Sequence, residues 1–148
     1  MGLFDIFSNI KTPQATNLIP AEAFTGILLV VIAADGCVGQ EESKSLMSTL
    51  YKMKLFQSYA NDHVSRMIAK TAKIARTTNS DTLLNLAVQC LPEHLHETAF
   101  AVATDLTLSD GEVSEAEEYI LQKICNRLSI SKDKVNKIIE VMMIKNRG

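Results

Sequence analysis

The stretch "FAVATDLTLSDGEVSEAEEYI", residues 100–120, contains the pattern that decides the fold. Its apolar residues recur at the three- and four-residue spacing of a helix, stop at Asp110 and Gly111, and resume after Ser114. Glycine commonly ends a helix in a left-handed conformation, and Ser114 with Glu117 three residues later has the form of a capping box. The stretch therefore predicts a helix, a tight turn and a second helix.

An earlier part of the chain repeats this arrangement. The segments "AEAFTGILLVVIAADG" (residues 21–36) and "HETAFAVATDLTLSDG" (residues 96–111) both contain an acid, a Phe, an apolar helix and Asp-Gly. An amphipathic helix follows each of them, and the acidic turn "SDGEVSEAEE" of residues 109–118 has its counterpart in "ADGCVGQEES" of residues 34–43. We therefore expect two related halves, each with an apolar helix and an acidic turn.

Apolar residues have helical spacing in the rest of the chain as well. Turn signals fall between these helical segments and not between strands of alternating polarity. The expected helices are residues 20–35, 40–51, 61–76, 82–91, 92–108, 115–128 and 132–144. This predicts an all-α fold, a single compact domain of seven to eight helices over residues 20–148. A short amphipathic segment and linker, residues 1–19, precedes it and presents Leu3, Phe4, Phe7 and Ile10 to the domain's own core or to a membrane surface.

Composition narrows the class of protein. With 148 residues, 47% of them apolar, the chain can bury enough core for one domain, and a net charge of -2 gives no bulk attraction to nucleic acid. Cys37, Cys90 and Cys125 form no C-x-x-C pair, which favours a reducing compartment. No secretory signal is visible in the sequence, and its longest uncharged apolar run is too short to span a bilayer. We expect a cytoplasmic protein, or one at the inner face of the membrane.

Carboxylates are concentrated in residues 77–122, which hold nine acids and neither Lys nor Arg. Glu97 and Asp105 lie eight residues apart, on one face of a helix whose neighbouring residues are apolar. A carboxylate in such a setting is costly unless it is paired, hydrogen-bonded or bound to a cation. Since no basic residue lies nearby in sequence, we expect these carboxylates to lack a protein partner.

A hard divalent cation such as calcium, magnesium or manganese prefers oxygen ligands of this kind, and a helix C-terminus adds favourable partial charge. The candidate metal ligands are Asp105, Asp110 and Glu117, with Glu97 upstream and a weaker site at Asp35 and Glu42. An EF-hand is excluded by register, because a loop starting at Asp105 would lack the required Gly at position 6 and Glu at position 12. Helix punctuation alone also explains most of the motif, so that reading stays open.

The run A-x-D-L-x-L-x-D-G-x-V-x-x-x-E, residues 103–117, and its counterpart "AFTGILLVVIAADGCVGQEE" resemble the TerB family associated with tellurite resistance. The resemblance covers residues 20–144. It implies an all-helical fold of two related halves, no known catalytic activity, and acidic residues that bind divalent metal, matching Asp35, Glu42, Asp105, Asp110 and Glu117. It also implies partners among other stress-response proteins or a membrane-proximal complex. Cys37 and Gly39 depart from the family pattern in the first turn.

Other candidate sites are weaker. His94 and His96 lie on opposite sides of a helix, which prevents joint chelation of zinc. Arg66, Lys70 and Lys73 form a basic stripe that would contact phosphates or an acidic partner, face the acidic segment of residues 77–122, or simply face solvent.

The chain has no recognisable catalytic motif, so a metal-dependent hydrolase is a minority reading. We therefore expect a non-catalytic divalent-cation-binding module that acts in tellurite resistance or envelope stress, within a protein complex. The alternative is a metal-free interaction module with an acidic docking face.

Overall fold

A computed structural model of the protein describes residues 17–36, 39–109 and 111–148, apart from the side chain of Asp35. This part of the chain contains seven α-helices and no strand, which confirms the predicted all-α fold. The helices are α1 (Pro20–Ile32), α2 (Gln40–Tyr51), α3 (Asn61–Thr77), α4 (Ser80–Cys90), α5 (His96–Ser109), α6 (Glu115–Arg127) and α7 (Lys132–Lys145). The amphipathic segment predicted at the N-terminus lies outside the described residues, and the relation between the two halves stays a prediction.

The helix boundaries agree with the sequence pattern to within a residue except at four places. α1 ends at Ile32, three residues earlier than expected, and a 3₁₀ turn, Ala33–Asp35, follows it. A single helix over residues 92–108 is wrong, because Pro92 adopts an extended ψ of 142° and a 3₁₀ turn, Glu93–Leu95, precedes α5. α4 begins two residues earlier than expected, since Asn79 caps it by accepting a hydrogen bond from the Thr82 N–H at 2.7 Å. A further 3₁₀ turn, Lys54–Phe56, was not predicted, and it buries the Phe56 ring.

α1 is the central helix, and ten of its thirteen residues are buried. It packs against α3, α4, α5 and α6, so it needs apolar side chains on every side. Gly26 permits a close approach to α4, since a Cβ at this position would lie 3.3 Å from Leu83 Cδ1 and 3.5 Å from Ala87 Cβ. The Phe24 ring meets the Phe56 ring edge-on, with 6.2 Å between centroids.

α7 lies at the periphery of the domain. It packs on α5, and none of its residues is fully buried. Val141, Met143 and Ile144 expose half or more of their surface, and Ile139 exposes about a third. Among the described helices, none combines the length and the apolar character needed to cross a membrane.

Candidate functional site

The turn between α5 and α6 has the geometry that its sequence predicts. Gly111 adopts a positive φ of 105°, and its N–H donates to the Leu108 carbonyl at 3.2 Å. The capping box at the start of α6 is complete, since the Glu117 N–H donates to Ser114 Oγ at 3.1 Å. In return, the Ser114 N–H donates to Glu117 Oε1 at 3.0 Å. Glu117 is 8% exposed, so one of its carboxylate oxygens has a structural role in ordering the turn.

Asp105, a predicted metal ligand, has partners within the protein. Its Oδ1 accepts hydrogen bonds from Asn146 Nδ2 at 2.7 Å and from Lys145 Nζ at 3.2 Å. The expectation that this carboxylate lacks a protein partner is therefore wrong. Its partners lie at the end of α7, some forty residues away in sequence, where a search of neighbouring residues does not find them.

Glu97 faces the same helix. Lys134 Nζ lies 3.8 Å from Glu97 Oε1, and both side chains are about half exposed. Glu97 and Asp105 thus occupy the face of α5 that lies beside α7, and two lysines of α7 approach it. The carboxylate row on α5 is explained, to this extent, by contact between helices.

The predicted metal ligands are not brought together within the described residues. No group of three or more His, Cys, Asp or Glu side chains there is placed to hold a metal ion. Glu42 is exposed at the start of α2, far along the chain from Asp105 and Glu117. Asp110 lies outside the described residues, as does the Asp35 side chain, so the role of these two acids stays a prediction.

The first Asp-Gly turn shares the backbone of the second but not its cap. Gly36 has a φ of 136°, and its N–H donates to the Ala33 carbonyl at 3.0 Å. α2 then begins at Gly39, which has no side chain to accept a hydrogen bond. The Glu42 carboxylate nevertheless lies close to Gly39. A Cβ built on Gly39 would be only 2.8 Å from Glu42 Oε2.

The basic stripe of α3 is only partly available to a partner. Lys70 Nζ lies 3.0 and 3.1 Å from the two carboxylate oxygens of Glu22, which joins α3 to the start of α1. Arg66 and Lys73 are exposed, and neither forms an ion pair with a carboxylate in the part of the chain that the structure describes. The stripe therefore presents two free cations instead of three.

Asp81 is the acid with the most marked electrostatic environment. Its Oδ1 lies 2.6 Å from Lys123 Nζ and 2.8 Å from Arg127 Nη2, so α4 is joined to α6. The hydrogen bond from Lys123, followed by that from Arg127, lowers the pKa of Asp81 from its ordinary value. Lys123 and Arg127 come just after the acidic segment of residues 77–122. Their contact with Asp81, the first acid of that segment, cannot be inferred from the sequence.

His96 and the half-buried cysteines have structural environments. The His96 ring lies between two backbone carbonyls, with Nδ1 3.2 Å from Leu128 O and Nε2 3.1 Å from Leu91 O. His94 is exposed, so the two histidines do not form a joint site. Cys90 and Cys125 are free thiols, and burial raises the pKa of Cys125. Cys37 lies outside the described residues.

Once the paired acids are set aside, a group of exposed glutamates remains. We call it the acidic face, and its members are Glu112, Glu115 and Glu118. None of these carboxylates lies within ion-pair distance of a cation in residues 17–36, 39–109 and 111–148. They lie on the turn before α6 and on the first turn of α6. This distribution suits contact with an extended basic surface better than coordination of one ion.

Comparison with known proteins gives one match. A family model described as "Tellurite resistance protein TerB" matches residues 21–140, which is most of the chain. No curated protein and no solved structure matches this chain.

Proposed function

We propose a function for this chain on the premise that it belongs to the TerB family, to which residues 21–140 match. This makes it a helical domain associated with tellurite resistance. We infer that it is a non-catalytic binding module, acting in tellurite resistance or envelope stress within a complex of stress-response proteins. The complex would lie in the cytoplasm or at the inner face of the membrane.

The acidic face is the observation that carries this proposal. Asp81, Asp105 and Glu117 are held by groups of the protein itself, whereas the three glutamates of the acidic face have no such partner among the described residues. Leaving like charges exposed together is unfavourable for the isolated domain, and a basic partner would relieve their repulsion. The function supported best is therefore docking of a basic protein surface on the acidic face.

A quantitative pull-down from native lysate tests this docking. The variant Glu115→Lys with Glu118→Lys is expected to lose the proteins that the unchanged chain enriches, with and without a chelator. Asp133→Lys with Glu140→Lys is the matched control, because it makes the same change of charge on α7. Equal recovery of partners by the acidic-face variant and the unchanged chain would contradict the proposal.

A divalent cation at the second Asp-Gly turn is the second candidate function. It is favoured by the end of α5, whose carbonyl groups carry partial negative charge next to Asp110 and Gly111. Glu117 adds a carboxylate at the same turn, and its Oε1 accepts the capping-box hydrogen bond from the Ser114 N–H. Calcium, magnesium or manganese would take oxygen ligands from these groups.

Thermal unfolding with each of the three ions at millimolar concentration tests the cation site. We expect the ion to raise the melting temperature of the unchanged chain and to have no effect on Asp110→Asn combined with Glu117→Gln. Gln at position 117 keeps an acceptor for the capping box, so the fold is not the variable. Glu42→Gln is the control in the first turn. If none of the ions changes the melting temperature, this candidate is wrong.

A contact with a membrane or with an acidic partner is also proposed. The exposed apolar residues of α7 and the free cations Arg66 and Lys73 support it, because exposed apolar groups commonly mark an interaction surface. Co-sedimentation with anionic vesicles, compared between the full chain and a chain that lacks residues 1–12, tests the membrane contact. Equal sedimentation of the full and the shortened chain would show that residues 1–12 take no part in a membrane contact.

A further inference from the structure

A small apolar cavity lies between the end of α1, the second half of α3 and the start of α4. Its volume is about 340 Å³, within the lower part of the range that small-molecule sites occupy. Leu29 and Leu83 line it and are almost completely buried, and Ala72 and Ala75 line its α3 side. Because alanine is the smallest apolar side chain, these positions on α3 leave the space between the helices unfilled.

A cationic side chain lines the cavity. Arg76 lines it and is exposed, and no carboxylate among the described residues lies within ion-pair distance of its guanidinium. Ser80, the first residue of α4, also lines the cavity, so the positive end of α4 and the negative end of α3 both lie nearby and Arg76 supplies the net positive charge. The nearest acid of α4, Asp81, is held by Lys123 and Arg127 of α6.

We propose that this cavity binds a small amphiphilic anion, with its apolar group between α1, α3 and α4 and its anionic group at Arg76. An apolar ligand without charge would leave Arg76 unused, whereas a cationic one would be repelled by it. A carboxylate is bound well by arginine, because the guanidinium donates two parallel hydrogen bonds to its two oxygens. The site is separate from the acidic face and does not depend on its function.

Titration of the full chain with octanoate, followed by calorimetry and by NMR of backbone amides, tests the proposal. We expect saturable binding that shifts amides around Leu83 and Ala75. Octylammonium, which has the same apolar tail with a cationic end, should bind at least about tenfold more weakly. Arg76→Gln should weaken octanoate binding about tenfold. Lys73→Gln, an equal loss of charge on the same helix outside the cavity, should change it by less than about twofold.

Filling the cavity provides the second arm of the test. Ala75→Leu should abolish octanoate binding while circular dichroism reports the same helical content, and Ala72→Leu replaces it should the first variant fail to fold. The proposal is overturned if octanoate does not bind saturably, or if octylammonium binds equally well. Equal weakening by Arg76→Gln and Lys73→Gln, or unchanged binding to a folded filled variant, overturns it too.

Discussion

α1 and α5 occupy corresponding places in the sequence repeat, yet their surroundings differ. α1 is enclosed by four other helices and buries ten residues, whereas α5 buries six and turns its acids toward the peripheral α7. Each helix is followed by a glycine with a positive φ, Gly36 and Gly111. Only the second turn leads into a complete capping box.

The difference shows which parts of the repeated pattern have a structural role. The Asp-Gly turn recurs because the chain must change direction after an oily helix, and glycine accepts the required conformation without strain. The acids do not recur in the same way, because each is matched to a cation from a different helix. Glu22 pairs with Lys70 of α3, whereas its counterpart Glu97 lies 3.8 Å from Lys134 of α7.

Truncation of the two corresponding Phe residues should give the largest loss in the free energy of unfolding. Phe24→Ala and Phe100→Ala should each lower the free energy of unfolding by about 3–5 kcal/mol, since both rings are at most 1% exposed. Phe24 should cost more, because its ring also loses the edge-on contact with Phe56. Urea denaturation of both variants measures the difference. A larger loss for Phe100→Ala would mean that α1 is not the dominant core helix.

Replacing the two turn glycines tests whether the turns are equivalent. Gly36→Ala and Gly111→Ala should each cost about 1–3 kcal/mol, because both have a positive φ that a Cβ disfavours. Neither new Cβ would meet another atom within 4 Å, so the cost measures backbone strain alone. Thermal and urea unfolding give the values. An unchanged stability for either variant would show that its turn can relax to another conformation.

The N-caps of α6 and α2 can be altered in opposite directions. Ser114→Ala should destabilise the protein by about 1 kcal/mol, because the Glu117 N–H loses its acceptor. Gly39→Ser should stabilise it by a few tenths of a kcal/mol, on the order expected for a better N-cap. The mobile end of Glu42 must shift to accommodate the new Cβ. Chemical denaturation compares both with Thr98→Ala, an exposed control on α5. Destabilisation by Gly39→Ser would indicate that the first turn cannot form a capping box.

The ion pairs that join α4 to α6 have the smallest expected effect and depend on pH. Lys123 and Arg127 lower the pKa of Asp81, so its stabilising contribution is present above about pH 4, the ordinary value for an unfolded chain. The contribution is lost as the pH falls through the lowered pKa of the folded state. Asp81→Asn should therefore melt below the unchanged protein at pH 7, and the gap should narrow below pH 4.

The control for this pH dependence is Asp62→Asn. Asp62 is exposed in the first turn of α3 and forms no ion pair within the described part of the chain. A gap for Asp81→Asn that is the same at pH 3 and pH 7 would show that the substitution acts through packing and not through the carboxylate charge.

Helix positions and caps were largely predictable because they depend on residues a few places apart. The predicted range of α2 matches its observed bounds, and the Ser114–Glu117 capping box formed as expected. The failures occurred where a distant residue intervened. The partners of Asp105 come from the end of α7, and the buried Phe56 is set by its contact with α1. The apolar cavity likewise depends on how three helices meet, which no local pattern records.

The sequence by itself determined the all-α class, the two Asp-Gly turns and the resemblance to TerB, because helical periodicity and glycine conformation are local properties. Only the tertiary structure decided which carboxylates are occupied by the protein and which are exposed. Charge pairing depends on distances through space, and α7 brings Lys145 within 3.2 Å of a carboxylate forty positions earlier. Glu112, Glu115 and Glu118 take no part in that pairing, so the acidic face could be distinguished from the paired acids only from the packed helices.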